Sequence, residues 1–241
     1  MSLFGFLKSG RIKKVPWLQK KIRQYLYDLY VKDLQLNLEL EAMHESVEYI
    51  KKNMRDSMIF SSWHGLHSYA IAQAELNGLF LEFGTKRGHS VKEIARMTRN
   101  TIHGFDSFQG LPEDWSGTTL RKGKFGFKGR LLKLPGNVIV HKGWFDESLP
   151  VFVKNHGDVV AYMHVDCDLY SSTRTVFTQL ADRIVAGTVI VFDEYFNYPN
   201  WQQHEYKAFR EFVHEHGIEY SYLGFLSYGG TVAVKITGKS H

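Results

Sequence analysis

From residue 79 onward the chain repeats one pattern that few folds can accommodate: a short apolar run ends on an acidic or aromatic residue, and a helical stretch follows. Strands are predicted at 79–83, 102–105, 137–141, 158–165 and 188–193. Such alternation is the signature of an α/β unit built on a mostly parallel sheet. The last two runs, "IEYSYL" and "TVAVKI", flank Gly229 and Gly230 with no room for a crossover helix, so they should pair antiparallel. In an open parallel sheet, ligands collect outside the carboxyl ends of the strands. Those ends carry Glu82, Asp106, Trp144 with Phe145, Asp166, and Asp193 with Glu194. Packing alone does not account for polar or aromatic groups at five consecutive strand ends.

The first strand runs into a glycine turn, "LFLEFGTKRGHS". A dinucleotide site needs a middle glycine so that the backbone can approach the pyrophosphate. Here Thr85, Lys86 and Arg87 stand between Gly84 and Gly88, which argues against a nicotinamide-dependent oxidoreductase. A ligand without phosphates suits the turn better. S-adenosylmethionine is one: its amino-acid end can bond to the turn and to Glu82, and its ribose diol to Asp106 at the next strand end. Glu82 beside "LFL" would otherwise be a costly buried charge. Trp144 and Phe145 in "HKGWFDESLP" either pack in the core or wall the adenine.

The stretch "MHVDCDLYSST" places Asp166 at a strand end with His164 two residues earlier on the same face. "VIVFDEYFNYP" places Asp193 and Glu194 at the end of the next strand. Three converging carboxylates raise one another's pKa, a conflict that a divalent cation removes. All-oxygen ligation points to Mg²⁺, with Mn²⁺ or Ca²⁺ as alternatives. Such an ion can chelate two neighbouring hydroxyls and activate one for displacement at a sulfonium methyl, with a nearby base taking the proton. Asp166 is the first candidate for base, with His164 and His204 behind it, and His164 also reads as a satisfied core histidine. Asp168 reads as a helix cap or a support behind the ligands, because "DLYSST" opens a helix.

A chain of 241 residues suits one large domain, here 78–241, preceded by a helical extension over 1–77. After Pro16, the residues Leu18, Ile22, Tyr25, Leu26 and Leu29 fall at helical spacing, and a second helix is predicted over about 38–54. This extension reads as a cap, a lid or a pairing surface. The net charge of +5 concentrates in two places. Residues 1–30 hold Lys8, Arg11, Lys13, Lys14, Lys20, Lys21 and Arg23 against Asp28 alone, and the loop 117–136 is basic with no acid. Such patches suit nucleic acid, anionic lipid or a phosphorylated small molecule. The N-terminus, with Phe4, Phe6, Leu7 and Trp17, also suits weak contact with a membrane surface. An acidic cluster beside a methyl donor suits a diol better than a base, and no nucleic-acid motif is present, so no nucleic-acid partner is expected. The lone Cys167 cannot form an internal disulfide, and no apolar run reaches spanning length, so the expected location is cytoplasmic.

Taken in order, "LEFGTKRGHS", "GFDSFQGLPEDW", "GWFDESLP", "HVDCDLYSST" and "VFDEYFNYPNWQQHEYKAF" resemble the class I S-adenosylmethionine-dependent methyltransferases of the macrocin O-methyltransferase type, which act on sugar hydroxyls. The resemblance covers about residues 78–236. It implies a Rossmann-like, seven-stranded, mostly parallel sheet with an antiparallel last strand, a magnesium site, and a homo-oligomer, commonly a dimer. Carried over, the metal positions fall on Asp166, Asp193 and Glu194, where many relatives have a second Asp in place of the Glu. Asp106 and Ser107 match the ribose-side motif; Glu82, Gly84, Gly88 and Ser90 match the first motif, with Thr85 inside its turn. The expected activity is O-methylation of a sugar or glycoside. The basic loop, through Arg121, Lys124 and Arg130, favours a nucleotide-activated sugar over a neutral glycoside. A non-catalytic methyltransferase-fold subunit is the main alternative.

Overall fold

The computed structural model describes residues 16–127, 129 and 133–239. Lys8, Arg11, Lys13, Lys14, Phe4, Phe6 and Leu7 of the basic N-terminus, and Lys128 and Arg130 of the basic loop, lie outside the described residues. Helix α1 runs Pro16–Tyr27, passes through a π-helical turn Asp28–Lys32, and is followed by α2, Leu34–Asn53. Asp33 starts α2 by accepting the Leu36 N–H at 3.0 Å, which satisfies one of the orphan donors of its first turn. The predicted amphipathic stripe of α1 is not buried: Leu18, Ile22 and Leu26 are half-exposed, and Trp17 and Tyr25 are largely in solvent. Among the described residues no helix is long and apolar enough to cross a membrane.

Among the described residues the sheet has eight strands: β1 (Met58–Phe60), β2 (Leu79–Phe83), β3 (Ile102–Asp106), β4 (Val138–Lys142), β5 (Val160–Val165), β6 (Val189–Phe192), β7 (Ile218–Leu226) and β8 (Val232–Lys239). Their order is β1-β7-β8-β6-β5-β2-β3-β4, and β8 alone runs antiparallel to its neighbours. The reversed last strand agrees with expectation; the count exceeds the expected seven by β1. That strand lies inside the segment read as purely helical and pairs parallel with the far end of β7. Three residues are too few to show a two-residue period, so only the pairing reveals it.

Four helices connect the central strands: α3 (Trp63–Gln73), α4 (His89–Met97), α5 (Phe145–Asn155) and α6 (Tyr170–Leu180), with α7 (Glu205–Glu215) before β7. Alternation along each strand divides the core. Leu81, Phe83, Met163, Val165, Ile190 and Phe192 face α5, α6 and α7 through Phe152, Phe177 and Phe209. Phe80, Tyr162, Val189 and Val191 face Leu66 of α3 and Ile94 of α4. Each such side chain, fully buried, contributes about 1.5–3 kcal/mol. The same alternation sends Glu82 and His164 to the α3–α4 side, where the β2–β5 register sets them opposite each other.

Candidate active site

Strand order reverses direction of winding at β2, which has β3 on one side and β5 on the other, so a crevice opens at their carboxyl ends. Gly84 is wedged into it. Its N–H donates to the Phe105 carbonyl at 3.0 Å, while the Asp166 N–H donates to the Phe83 carbonyl at 2.9 Å. Gly84 has φ +103°, and a Cβ there would lie 1.7 Å from the Asp166 carbonyl oxygen. Only glycine allows the turn and β5 to meet this closely. Gly88, at φ +88°, ends the turn and starts α4.

The turn presents its backbone to Asp106. The carboxylate accepts the Lys86 N–H at 2.5 Å and the Phe108 N–H at 2.6 Å, which fixes the acid at the mouth of a cavity of about 600 Å³. Gly84, Asp106, Ser107, Trp144, Phe145, Asp166, Asp168 and Glu194 all line this cavity. Trp144 thus stands at the cavity wall, while the Phe145 ring also meets Phe83 edge-on at 5.6 Å, so it joins wall to core. A second recess of about 480 Å³ shares Gly84, Lys86 and Asp166 with the first and adds Trp63, Thr85, Ser90, His164 and Asp193.

Glu82 lines neither recess among the described residues, contrary to its expected contact with a cofactor. It is fully buried, with Oε1 accepting from His164 Nδ1 at 3.3 Å. The pairing follows from register: both residues point to the α3–α4 face at the same level of the sheet. His164 Nε2 lies 3.9 Å from Asp193 Oδ1, an ion-pair contact too long for a hydrogen bond. Burial opposes charge on His164, but Asp193 and Glu82 outweigh it and push the pKa up to about 10. Next to it His67, stacked under Trp63 at 3.7 Å between centroids, contacts the Tyr162 hydroxyl through Nδ1 at 2.7 Å. Burial keeps His67 well below the usual histidine range. No motif in the sequence signals this polar layer, because its members come from α3, β2 and β5.

The acids at the ends of β5 and β6 repel one another. Burial, then Asp193, pushes Asp166 well above the carboxylate range. Burial and Asp193 likewise push Asp168 up to about 7, and burial and Asp168 push Glu194 up to about 8. Asp193 is the exception. Burial opposes its charge, yet His164 holds it below the ordinary value, and Thr231 Oγ1 donates to it at 3.4 Å. Among the described residues no three His, Cys, Asp or Glu side chains converge to hold a metal ion. Asp166, Asp193 and Glu194, the residues expected to hold Mg²⁺, thus stand near one another without forming a ligand set: Asp193 raises the pKa of the other two carboxyls while its Oδ1 meets His164 and Thr231.

Asp168 is not the cap of α6. Its backbone is left-handed, φ +64°, and Leu169 holds the cap position without a side-chain bond. His204, a candidate base ranked with His164 behind Asp166, lines neither recess; its ring lies 5.7 Å from Trp115 and 6.0 Å from Tyr198, and burial pushes its pKa down. In the basic loop Arg121 is tied to Asp114 at 3.1 Å, and it is Lys122 that reaches the cavity wall. Lys86 lies 4.4 Å from the Phe125 ring centroid and Arg87 5.3 Å from that of Phe127, which holds the loop against the glycine turn.

Residues 81–195 match a family described as "Methyltransferase domain". That segment is a methyltransferase domain. Its fold matches that of the calicheamicin methyltransferase CalS11, with TM-score 0.56 and 19% identity over 91% of this chain and 93% of that one. It also matches the O-methyltransferase NovP, with TM-score 0.57 and 20% identity over 72% of this chain and 79% of that one. No curated protein matches the chain by sequence. The matched segment of this methyltransferase runs from β2 to the loop after β6 and so contains the glycine turn, Asp106 and the acidic strand ends.

Proposed function

We propose that this methyltransferase moves a methyl group from S-adenosylmethionine to a sugar hydroxyl on a small acceptor. The observation that carries the reading is the cavity at the strand ends that Asp106 shares with Asp166, Asp168 and Glu194; Asp168 in its wall, its pKa pushed up to about 7 by burial and Asp193, is the candidate base. A base matched to neutral pH is what removal of a hydroxyl proton requires. Burial and Asp193 push Asp166, the first candidate in the sequence, above the carboxylate range as well. The fold match to NovP, an O-methyltransferase, supports oxygen as the target.

S-adenosylmethionine supplies an electrophilic methyl carbon on a sulfonium. Asp106, already oriented by two backbone N–H groups, has free lone pairs on both oxygens for the ribose diol. Trp144 and Phe145 provide the wall for the adenine. The carboxyl groups of Asp166, Asp168 and Glu194 line the cavity, where a sulfonium would favour their charged forms and a phosphate would oppose them. Asp168 then accepts the hydroxyl proton as the acceptor oxygen bonds to carbon and the carbon–sulfur bond breaks. At the outer rim the side chains are basic: Lys122 lines the cavity, with Lys86 and Lys124 flanking Phe125. That rim supports an acceptor with phosphates at its far end, a nucleotide-activated sugar.

Calorimetry with S-adenosylhomocysteine should give saturable binding that Asp106→Ala weakens by roughly tenfold or more, the value of one charge-assisted hydrogen bond. Incubation with S-adenosylmethionine and a panel of nucleotide sugars and glycosides should add one methyl to a sugar oxygen, read by mass and fragmentation. Saturable binding with methylation confined to nitrogen, or no binding at all, would remove the proposal.

A further inference from the structure

Glu205 plays no part in the chemistry described so far, yet it is fully buried at the first position of α7, under the acidic strand ends. Its Oε1 accepts the backbone N–H groups of Cys167 and Asp168, each at 3.2 Å. Its Oε2 accepts the N–H of Glu194 at 3.3 Å. The first two amides belong to the loop after β5, the third to the loop after β6. One side chain thus joins the two loops just beyond the point where the Asp193 N–H donates to the Val165 carbonyl at 2.9 Å. From this geometry we propose that Glu205 is a positioning residue: it fixes the β5 and β6 loops relative to each other and so sets where Asp168 and Glu194 stand in the donor cavity. The role rests on the O-methyl transfer proposed for this site.

Stability alone does not explain a glutamate here. A fifth carboxyl group beside Asp166, Asp168, Asp193 and Glu194 adds repulsion in a desolvated place. Glutamine has the same shape without that repulsion. The donors decide the matter, because N–H groups approach both ends of the carboxyl group, and glutamine offers an acceptor at one end only. Its NH₂ would meet an N–H wherever it pointed. The carboxyl group is therefore matched to three loop amides that would otherwise be buried without partners. The left-handed backbone of Asp168, φ +64°, is the conformation this clamp holds in place.

Two variants separate the halves of the clamp. In Glu205→Gln the amide oxygen should stay on the side with two donors, so the NH₂ faces Glu194. Amide hydrogen exchange followed by NMR should then quicken at Glu194 by about five- to tenfold, with Cys167 and Asp168 still protected. In Glu205→Ala all three amides should exchange faster. S-adenosylhomocysteine should bind both variants within about twofold of wild type, because the glycine turn and Asp106 are untouched. Turnover with the acceptor should fall, by as much as about 100-fold in Glu205→Ala, the scale of a displacement near 1 Å at a reacting group. Thermal unfolding confirms that each variant is folded. Unchanged exchange at the three amides in a folded Glu205→Ala overturns the clamp. Turnover and S-adenosylhomocysteine affinity falling together overturn the positioning role, since that is the pattern of general damage. Wild-type protein that binds S-adenosylhomocysteine but methylates no sugar hydroxyl overturns the functional reading instead, while the exchange pattern still decides the clamp.

Discussion

Replacing Gly84 by alanine measures how tightly the glycine turn is wedged against β5. Two costs add. At φ +103° an L side chain is strained, which costs about 1–3 kcal/mol. The new Cβ would also lie 1.7 Å from the Asp166 carbonyl oxygen, a backbone atom that cannot swing aside like a side chain. Relief requires moving the end of β5 away from β2, against the Asp166 N–H to Phe83 carbonyl bond. Overpacking of this kind costs about 1–3 kcal/mol more. The sum of about 2–6 kcal/mol, at about 2–4 °C per kcal/mol for a domain of this size, lowers Tm by roughly 5–20 °C. The same displacement carries Asp166 and Asp168 away from the cavity, so turnover should drop further than the folded fraction at 25 °C. Gly157 is the control, since an added Cβ there meets nothing within 4 Å and its backbone is not left-handed. Gly157→Ala should leave Tm unchanged or slightly higher. Differential scanning fluorimetry of both variants decides the matter: Gly84→Ala unfolding within 2 °C of wild type, by the roughly 2–4 °C per kcal/mol above, would refute the wedge.

Two further outcomes follow from side chains outside the turn. Lys122→Ala should raise the acceptor KM by roughly tenfold with little change in S-adenosylhomocysteine affinity, whereas Arg121→Ala, already paired with Asp114, should change neither; equal effects of the two would remove the phosphate-reading rim. His103, next to His141 and His156, has its pKa lowered from 6.5 to about 4, first by burial and then by those two imidazoles. The unfolded chain therefore binds more protons than the folded one between those values, so this contribution is complete above pH 6.5 and is lost as pH falls toward 4. Measured from pH 7.5 down to 5, the Tm of wild type should fall relative to that of His103→Gln as acid is added; parallel profiles would show that the cluster does not titrate this way.

The strands were legible because their signal is local. "LFLEF" occupies β2 as expected, and the predicted runs at 102–105, 158–165 and 188–193 hold β3, β5 and β6 with boundary shifts of a residue or two. The candidate site divides differently. Gly84, Asp106, Trp144 and Asp166 line the donor cavity, since each sits where a strand ends and the ends of parallel strands must lie side by side. His204 does not, because its place depends on how the loop around Trp115 packs over it. Glu205 was invisible in a single sequence: nothing in "HEYKAF" announces that its acid reaches back to amides nearly forty residues upstream.

What the amino-acid sequence determined by itself is therefore the succession of elements and the list of polar groups delivered to one edge of the sheet, for both depend on periods of two and 3.6 residues along a short stretch of chain. Which of those groups face one another was decided only by strand order and register. The β2–β5 register buries Glu82 against His164, the closing of β8 on β6 brings Thr231 to Asp193 Oδ1, and the packing of α7 beneath two loops gives Glu205 its three donors. Electrostatic and hydrogen-bond energies depend on distances of a few ångströms between residues far apart in sequence, and those distances do not exist until the sheet has closed.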